Sequence, residues 1–232
     1  MPGPPRKSGR GLHERVKTAR GRKISSQLWL KRQLNDPFVR AAHAAGYRSR
    51  AAWKLLEIDD RYRVLHRDGR VIDLGAAPGG WTQVAVERCL GAKGAGEGAG
   101  RVLGVDLQAM DPVPGATIMQ LDFLGSGADT AVAEALGGLA NTVLSDMSPP
   151  ASGHRSTDHL RSMALSEAAL DMAVKVLDEG GSFVTKILQG SSEKAFVQAA
   201  RARFRAVHYV KPSASRKESS ETYIVALGYR RA

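Results

Sequence analysis

The chain has 232 residues, 43% of them apolar, enough to bury one sizeable core. Its single cysteine, Cys89, excludes an internal disulfide and suits a reducing compartment, and no apolar run approaches the ~18 residues that span a membrane. The net charge of +11 is lopsided: residues 1–32 hold ten Lys or Arg against one acid, Glu14, which leaves the rest of the chain at +2.

The basic start is also rich in Pro and Gly, with Pro2, Gly3, Pro4, Pro5, Gly9, Gly11 and Gly21. Residues 1–24 are therefore expected to be a disordered basic arm, and residues 25–232 a single domain. The arm lacks the apolar stretch of a secretory leader; an organelle transit peptide is a secondary reading. A basic arm on a near-neutral domain points to a polyanion, most simply nucleic acid, with a solubilising tail as the alternative.

Ser25 or Ser26 is placed to cap a helix running to about Leu34. Asp36-Pro37 reads as an N-cap followed by proline at the first helical position, with Gly46 ending that helix. Ser49 is placed to cap another, running to about Tyr62. Strands are expected near 70–74, 101–106, 116–121, 142–146 and 182–188, and helices near 80–90, 128–137, 158–177 and 192–203. Residues 91–100 are a glycine-rich loop. Two last strands, near 205–211 and 221–228, have no helix between them and should form an antiparallel hairpin. Five βα units followed by a hairpin predict an α/β fold: a mostly parallel sheet with one reversed strand and helices on both faces.

Residues 71–81, Val-Ile-Asp-Leu-Gly-Ala-Ala-Pro-Gly-Gly-Trp, carry the most information. They read as a strand, a tight glycine turn and a helix start, with Asp73 at the end of the strand. Glycine lets a ligand lie against bare backbone, and in open α/β sheets ligands sit at the carboxyl ends of strands. The spacing does not fit the dinucleotide fingerprint G-x-G-x-x-G. It resembles motif I of S-adenosylmethionine-dependent methyltransferases.

Acids recur at successive strand ends. Asp106 follows Val102–Val105 and is placed to accept hydrogen bonds from ribose hydroxyls. Asp122 follows Ile118–Leu121 and is placed to take an adenine amino group. Asp146 heads the turn Ser145-Asp146-Met147-Ser148-Pro149-Pro150. Any one of them alone reads equally as a helix cap, but four such acids, with Asp73, are better explained by a shared ligand cleft.

Lys186 closes the apolar strand Gly181–Thr185, where desolvation would suit it to general-base work. Lys54, alone, reads as a solvated helix residue, and Glu221 opens the last strand. Arg40, Arg48, Arg50 and the arm are candidate phosphate contacts. The six histidines are scattered, and no metal-ligand spacing appears, so no metal is expected.

Taken together, the segments Arg48–Ile58, Asp73–Gln83, Ser145–Pro149, Gly180–Gly190 and Glu221–Ala226 are similar to the FtsJ (RrmJ) family of ribosomal RNA large subunit methyltransferases. The likeness extends from about residue 26 to 230; the long basic arm and the 91–100 loop depart from the short bacterial pattern. The resemblance implies a Rossmann-like methyltransferase sheet in the order 3-2-1-4-5-7-6. It implies a Lys-Asp-Lys-Glu tetrad for ribose 2′-O methylation at Lys54, Asp146, Lys186 and Glu221. It implies S-adenosylmethionine contacts at Gly79, Trp81, Asp106, Asp122 and Asp146. The implied substrate is a uridine in the A-loop of 23S ribosomal RNA within the large subunit, and the protein is expected to be a cytoplasmic monomer free of membranes. Rivals are a non-catalytic RNA-binding assembly factor on the same fold, a base methyltransferase and a nicotinamide-dependent oxidoreductase. The first predicts a broken tetrad, the second leaves two lysines unexplained, and the third predicts a different glycine turn.

Overall fold

The computed structural model describes residues 27, 30–31, 33–91, 100–150, 152–190, 193–216 and 219–231. The expected arm over 1–24 and most of the 91–100 loop lie outside these residues. So does much of the first expected helix, of which 27, 30–31 and 33–34 are helical.

Asp36 caps α1 (Pro37–Ala44) by accepting the Phe38 N–H at 3.0 Å, with Pro37 at the first position. The helix α2 (Ala52–Tyr62) buries Ala52, Leu55 and Ile58 along one stripe. Its expected cap fails: the N-cap is Ala51, with no side-chain bond. The Ser49 hydroxyl instead lies where a Cβ on Gly80 would stand, so it packs against the glycine turn.

Strand β1 (Arg70–Leu74) leads through that turn into α3 (Gly80–Leu90). Then come β2 (Arg101–Asp106), β3 (Thr117–Gln120), α4 (Ala128–Leu136) and β4 (Ala140–Ser145). The chain closes with α5 (Arg155–Val176), β5 (Leu177–Leu188), α6 (Glu193–Arg203), β6 (Phe204–Val210) and β7 (Glu221–Tyr229). The connection from β2 to β3 contains no helix, so one of the five expected βα units is a plain strand and loop.

The sheet order is β3-β2-β1-β4-β5-β7-β6. Pairings out to β5 are parallel, and β7 alone runs backwards between β5 and β6. Strand β5 begins five residues earlier than its apolar run: Leu177 pairs with Ala140, the register then shifts, and Ser182 pairs with Thr142. Gly180, at φ +79°, sits in that irregularity, where glycine is the residue that fits.

Alternation along the strands feeds two cores, one on each face. Ile72, Leu74, Val143, Phe183 and Ile224 pack with α4, α5 and α6. Val71, Leu144, Val184, Tyr223 and Val225 pack with α1, α2 and α3. The result is a three-layer sandwich with the carboxyl ends of β1, β2, β4 and β5 at one edge, beside the start of β7.

Candidate active site

The turn after β1 is shaped by Gly75 at φ +74° and Gly79 at φ +109°. Its Ala77 N–H donates to Asp106 Oδ2 at 2.9 Å, while Asp106 Oδ1 accepts from Gln108 N–H at 2.8 Å. Each oxygen keeps a further lone pair for a ligand hydroxyl. Arg48 donates to the carbonyls of Pro78, Asp111 and Pro112 and so cinches the turn to the loop after β2. These walls enclose a cleft of about 1150 Å³, lined by Gly75, Ala77, Asp106, Asp122, Phe123 and Asp146 among others. Among the described residues its charged lining is four aspartates, Asp106, Asp111, Asp122 and Asp146, against Arg161 of α5.

Behind Asp146 lies a compact cluster of charge. Lys186 Nζ donates to the Asp146 carbonyl at 2.7 Å and to Asp146 Oδ1 at 3.1 Å. Lys54 Nζ lies 2.6 Å from Glu221 Oε1, 2.8 Å from the Tyr223 hydroxyl and 3.8 Å from Asp146 Oδ2. The Tyr223 hydroxyl in turn lies 2.6 Å from Asp146 Oδ1 and 2.9 Å from Glu221 Oε1. Four elements supply these groups: α2, the turn after β4, β5 and β7. Of the cluster, only Asp146 also lines the cleft, so it belongs to both halves of the site.

Burial pushes the Asp146 carboxyl up, but Lys54, Lys186 and the bonds from Tyr223 and Lys186 outweigh it and hold it below the ordinary carboxylate range. The Tyr223 hydroxyl is driven well above its usual value by burial, and further by the Asp146 and Glu221 carboxylates. Asp73 is fully buried, and its carboxyl is pushed up to about 7, first by desolvation and then by Asp146 and Asp106. Its Oδ2 accepts the Thr82 hydroxyl at 2.7 Å, but its Oδ1 has no hydrogen-bond partner among the described residues.

The candidate residues thus fall into three groups. Lys54, Asp146, Lys186 and Glu221 come together, although they are 167 positions apart from first to last. Asp106 and Asp122 line the cleft with Asp146. Gly79 and Trp81 stand behind it: a Cβ on Gly79 would press on Arg48, Met110 and Val113. The Trp81 indole donates to the Ala51 carbonyl at 2.8 Å, and its ring lies 5.7 Å from that of Tyr223. Two expected phosphate contacts are committed elsewhere, Arg48 to the three carbonyls and Arg50 to Asp36 and the Ala214 carbonyl. Arg40 is exposed. Sequence reasoning missed Tyr223, although it sits two residues after Glu221 and so on the same face of β7. Among the described residues no group of three His, Cys, Asp or Glu is placed to hold a metal ion, and no helix is long and apolar enough to cross a membrane.

A seven-stranded sheet in this order, with a glycine turn after β1 and acids around one cleft, defines a Rossmann-like methyltransferase. The family model described as FtsJ-like methyltransferase matches residues 47–229, and the chain belongs to that family. It is 55% identical over 225 residues to the ribosomal RNA large subunit methyltransferase E of Parvibaculum lavamentivorans, covering 95% of this chain and 88% of the relative. The protein of the same name from Jannaschia sp. is 54% identical over 228 residues, 96% of each chain. Among solved structures, a protein described as a ribosomal RNA methyltransferase of Plasmodium falciparum superposes with a TM-score of 0.69 at 28% identity, covering 80% of this chain and 100% of that one.

Proposed function

We propose that this protein transfers a methyl group from S-adenosylmethionine to a ribose 2′-oxygen of large-subunit ribosomal RNA, with Lys186 as the general base. The target nucleotide we propose is the uridine of the 23S A-loop. The relatives' names supply the substrate class.

The carboxylates around the two lysines carry the assignment of the base. Lys54 stands between two carboxylates: it donates to Glu221 Oε1 and the Tyr223 hydroxyl and forms an ion pair with Asp146 at 3.8 Å, an arrangement that suits an ammonium. Among the described residues Lys186 meets one carboxylate, donating to the carbonyl and to Oδ1 of Asp146. A neutral amine keeps both bonds and retains a lone pair, so Lys186 is the lysine free to take the proton of a 2′-hydroxyl. Lys54 stays charged and, with Asp146 and Glu221, balances the site as the proton arrives. Positioning a hydroxyl between Lys186 and Glu221 supplies a large part of the rate.

The cleft suits the donor by its chemistry. Asp106 would take its ribose hydroxyls and Asp122 its adenine amino group, while Asp146 and the acidic lining favour its cationic end. Gly75 and its neighbours present backbone at close range. S-adenosylmethionine supplies, when bound, a methyl group carried on a sulfonium centre. We take the protein to act as a monomer, since one chain provides the whole cluster, and in the cytoplasm, on large subunits. The intact tetrad speaks against a purely structural assembly factor.

The test is Lys186→Ala. Methyl transfer in a single turnover should be abolished, with S-adenosylmethionine affinity by calorimetry little changed. A variant that keeps most of the wild-type rate removes Lys186 from the role of base.

A further inference from the structure

The loop joining β6 to β7 is fastened to the site at four successive points. The Ser213 N–H and hydroxyl both donate to Glu57 of α2, each at 2.7 Å to Oε2. The Ala214 carbonyl accepts from Arg50. The Ser215 hydroxyl donates to Glu221 Oε1 at 3.1 Å. The Ser219 hydroxyl oxygen then accepts the Glu221 backbone N–H at 3.2 Å. Ser215 itself is buried, at 7% exposure.

Glu221 Oε1 therefore gathers three donors: Lys54, Tyr223 and Ser215. Two of them are shared. The Tyr223 hydroxyl has one proton, and Asp146 Oδ1 is nearer to it, 2.6 Å against 2.9 Å. Lys54 donates to Tyr223 as well as to Glu221 and lies 3.8 Å from Asp146 in an ion pair. Ser215 is the donor whose proton Glu221 does not share. The terminal torsion of a glutamate is soft, so a dedicated donor decides the plane of its carboxylate. Glu221 Oε2 has no bond from any described residue, which leaves it for a ligand hydroxyl.

We infer that Ser215 is a positioning residue: it fixes the Glu221 carboxylate so that Oε2 meets the ribose 2′-hydroxyl, and the loop, anchored by Glu57 and Arg50, is the strap that holds Ser215 in place. This rests on the tetrad's being a ribose 2′-O site. Losing one hydrogen bond to a charged group is worth about ten-fold in rate if it acts in the transition state.

The experiment is a set of variants assayed on large ribosomal subunits with S-adenosylmethionine. Ser215→Ala should lower kcat about ten-fold with KM for the subunits unchanged, and Ser215→Thr, which keeps the hydroxyl, should restore it. Glu57→Ala, which frees the strap, should lower kcat in the same direction. In a Glu221→Ala background, Ser215→Ala should have no further effect. Full activity of Ser215→Ala, or an equal loss with Glu221 already gone, overturns the inference. A wild-type protein that methylates no RNA overturns the functional reading instead. Thermal unfolding of the same four-variant cycle then judges the Ser215–Glu221 link without substrate: coupled melting shifts support it, and additive ones refute it.

Discussion

Tyr223 carries one proton and stands among Lys54, Asp146 and Glu221, fully buried. Tyr223→Phe keeps the ring against Trp81 and removes only the hydroxyl. With the acceptor gone from Lys54 and the single proton gone from between Asp146 and Glu221, kcat should fall by about ten-fold or more, while donor affinity holds. Steady-state kinetics and a donor titration check this; an undiminished kcat would make Tyr223 a packing residue. Asp73 sets a second expectation. Unfolded, an aspartate loses its proton near pH 4, whereas in the folded chain Asp73 keeps it up to about 7. Between those values the folded state holds the extra proton, so its contribution to stability falls as pH rises. Asp73→Asn should flatten the decline in melting temperature from about pH 4 to about pH 7; an unchanged decline refutes it. Lys186, Asp146 and Glu221 stood out in the sequence as polar residues at strand ends, but it was the family likeness that grouped them with Lys54; the structure brings the four side by side. Tyr223 did not stand out, since a tyrosine within Glu221–Ala226 reads as ordinary strand filling until its register against Lys186 is known.

Among the elements, α1 is the one whose start does most beyond itself. Asp36 caps the helix and also holds Arg50, and Arg216 lies 3.8 Å away. Asp36→Ala should cost about 2 kcal/mol, from the lost cap together with the broken, largely buried pair. Asp36→Asn keeps the cap and loses only the charge, so it should cost about half as much. Chemical denaturation measures both; equal losses would mean that the cap contributes nothing. Capping by Asp36-Pro37 was readable because its residues bond within one turn. Ser49 misled because its hydroxyl is used across the molecule, against Gly80. The early start of β5 was hidden for the same reason: Asp178–Gly181 is polar and glycine-rich, and pairs only because β4 lies alongside. The missing helix between β2 and β3 gave no periodic pattern to find, and that loop is instead a wall of the cleft.

At the scale of the whole molecule, the sheet order makes one edge do two jobs. β1, β2 and the loops after β3 and β4 frame an acidic cleft, while α2, β5 and β7 bring Lys54, Lys186 and Glu221 to its end, with Asp146 common to both. The order was accessible from the sequence through the family likeness rather than from periodicity, which gives elements but not their neighbours. The basic arm and the glycine-rich loop remain expectations, since they lie outside the described residues. The central claim is that a methyl group passes to a ribose 2′-oxygen of large-subunit RNA. The direct measurement is transfer from S-adenosylmethionine carrying a labelled methyl group to large subunits that lack the modification, followed by digestion and mass spectrometry of the labelled nucleoside. The account predicts one labelled nucleoside, 2′-O-methyluridine from the A-loop, formed by the wild-type protein and absent with Lys186→Ala. Label on a base, or label that persists in the Lys186→Ala variant, would contradict it.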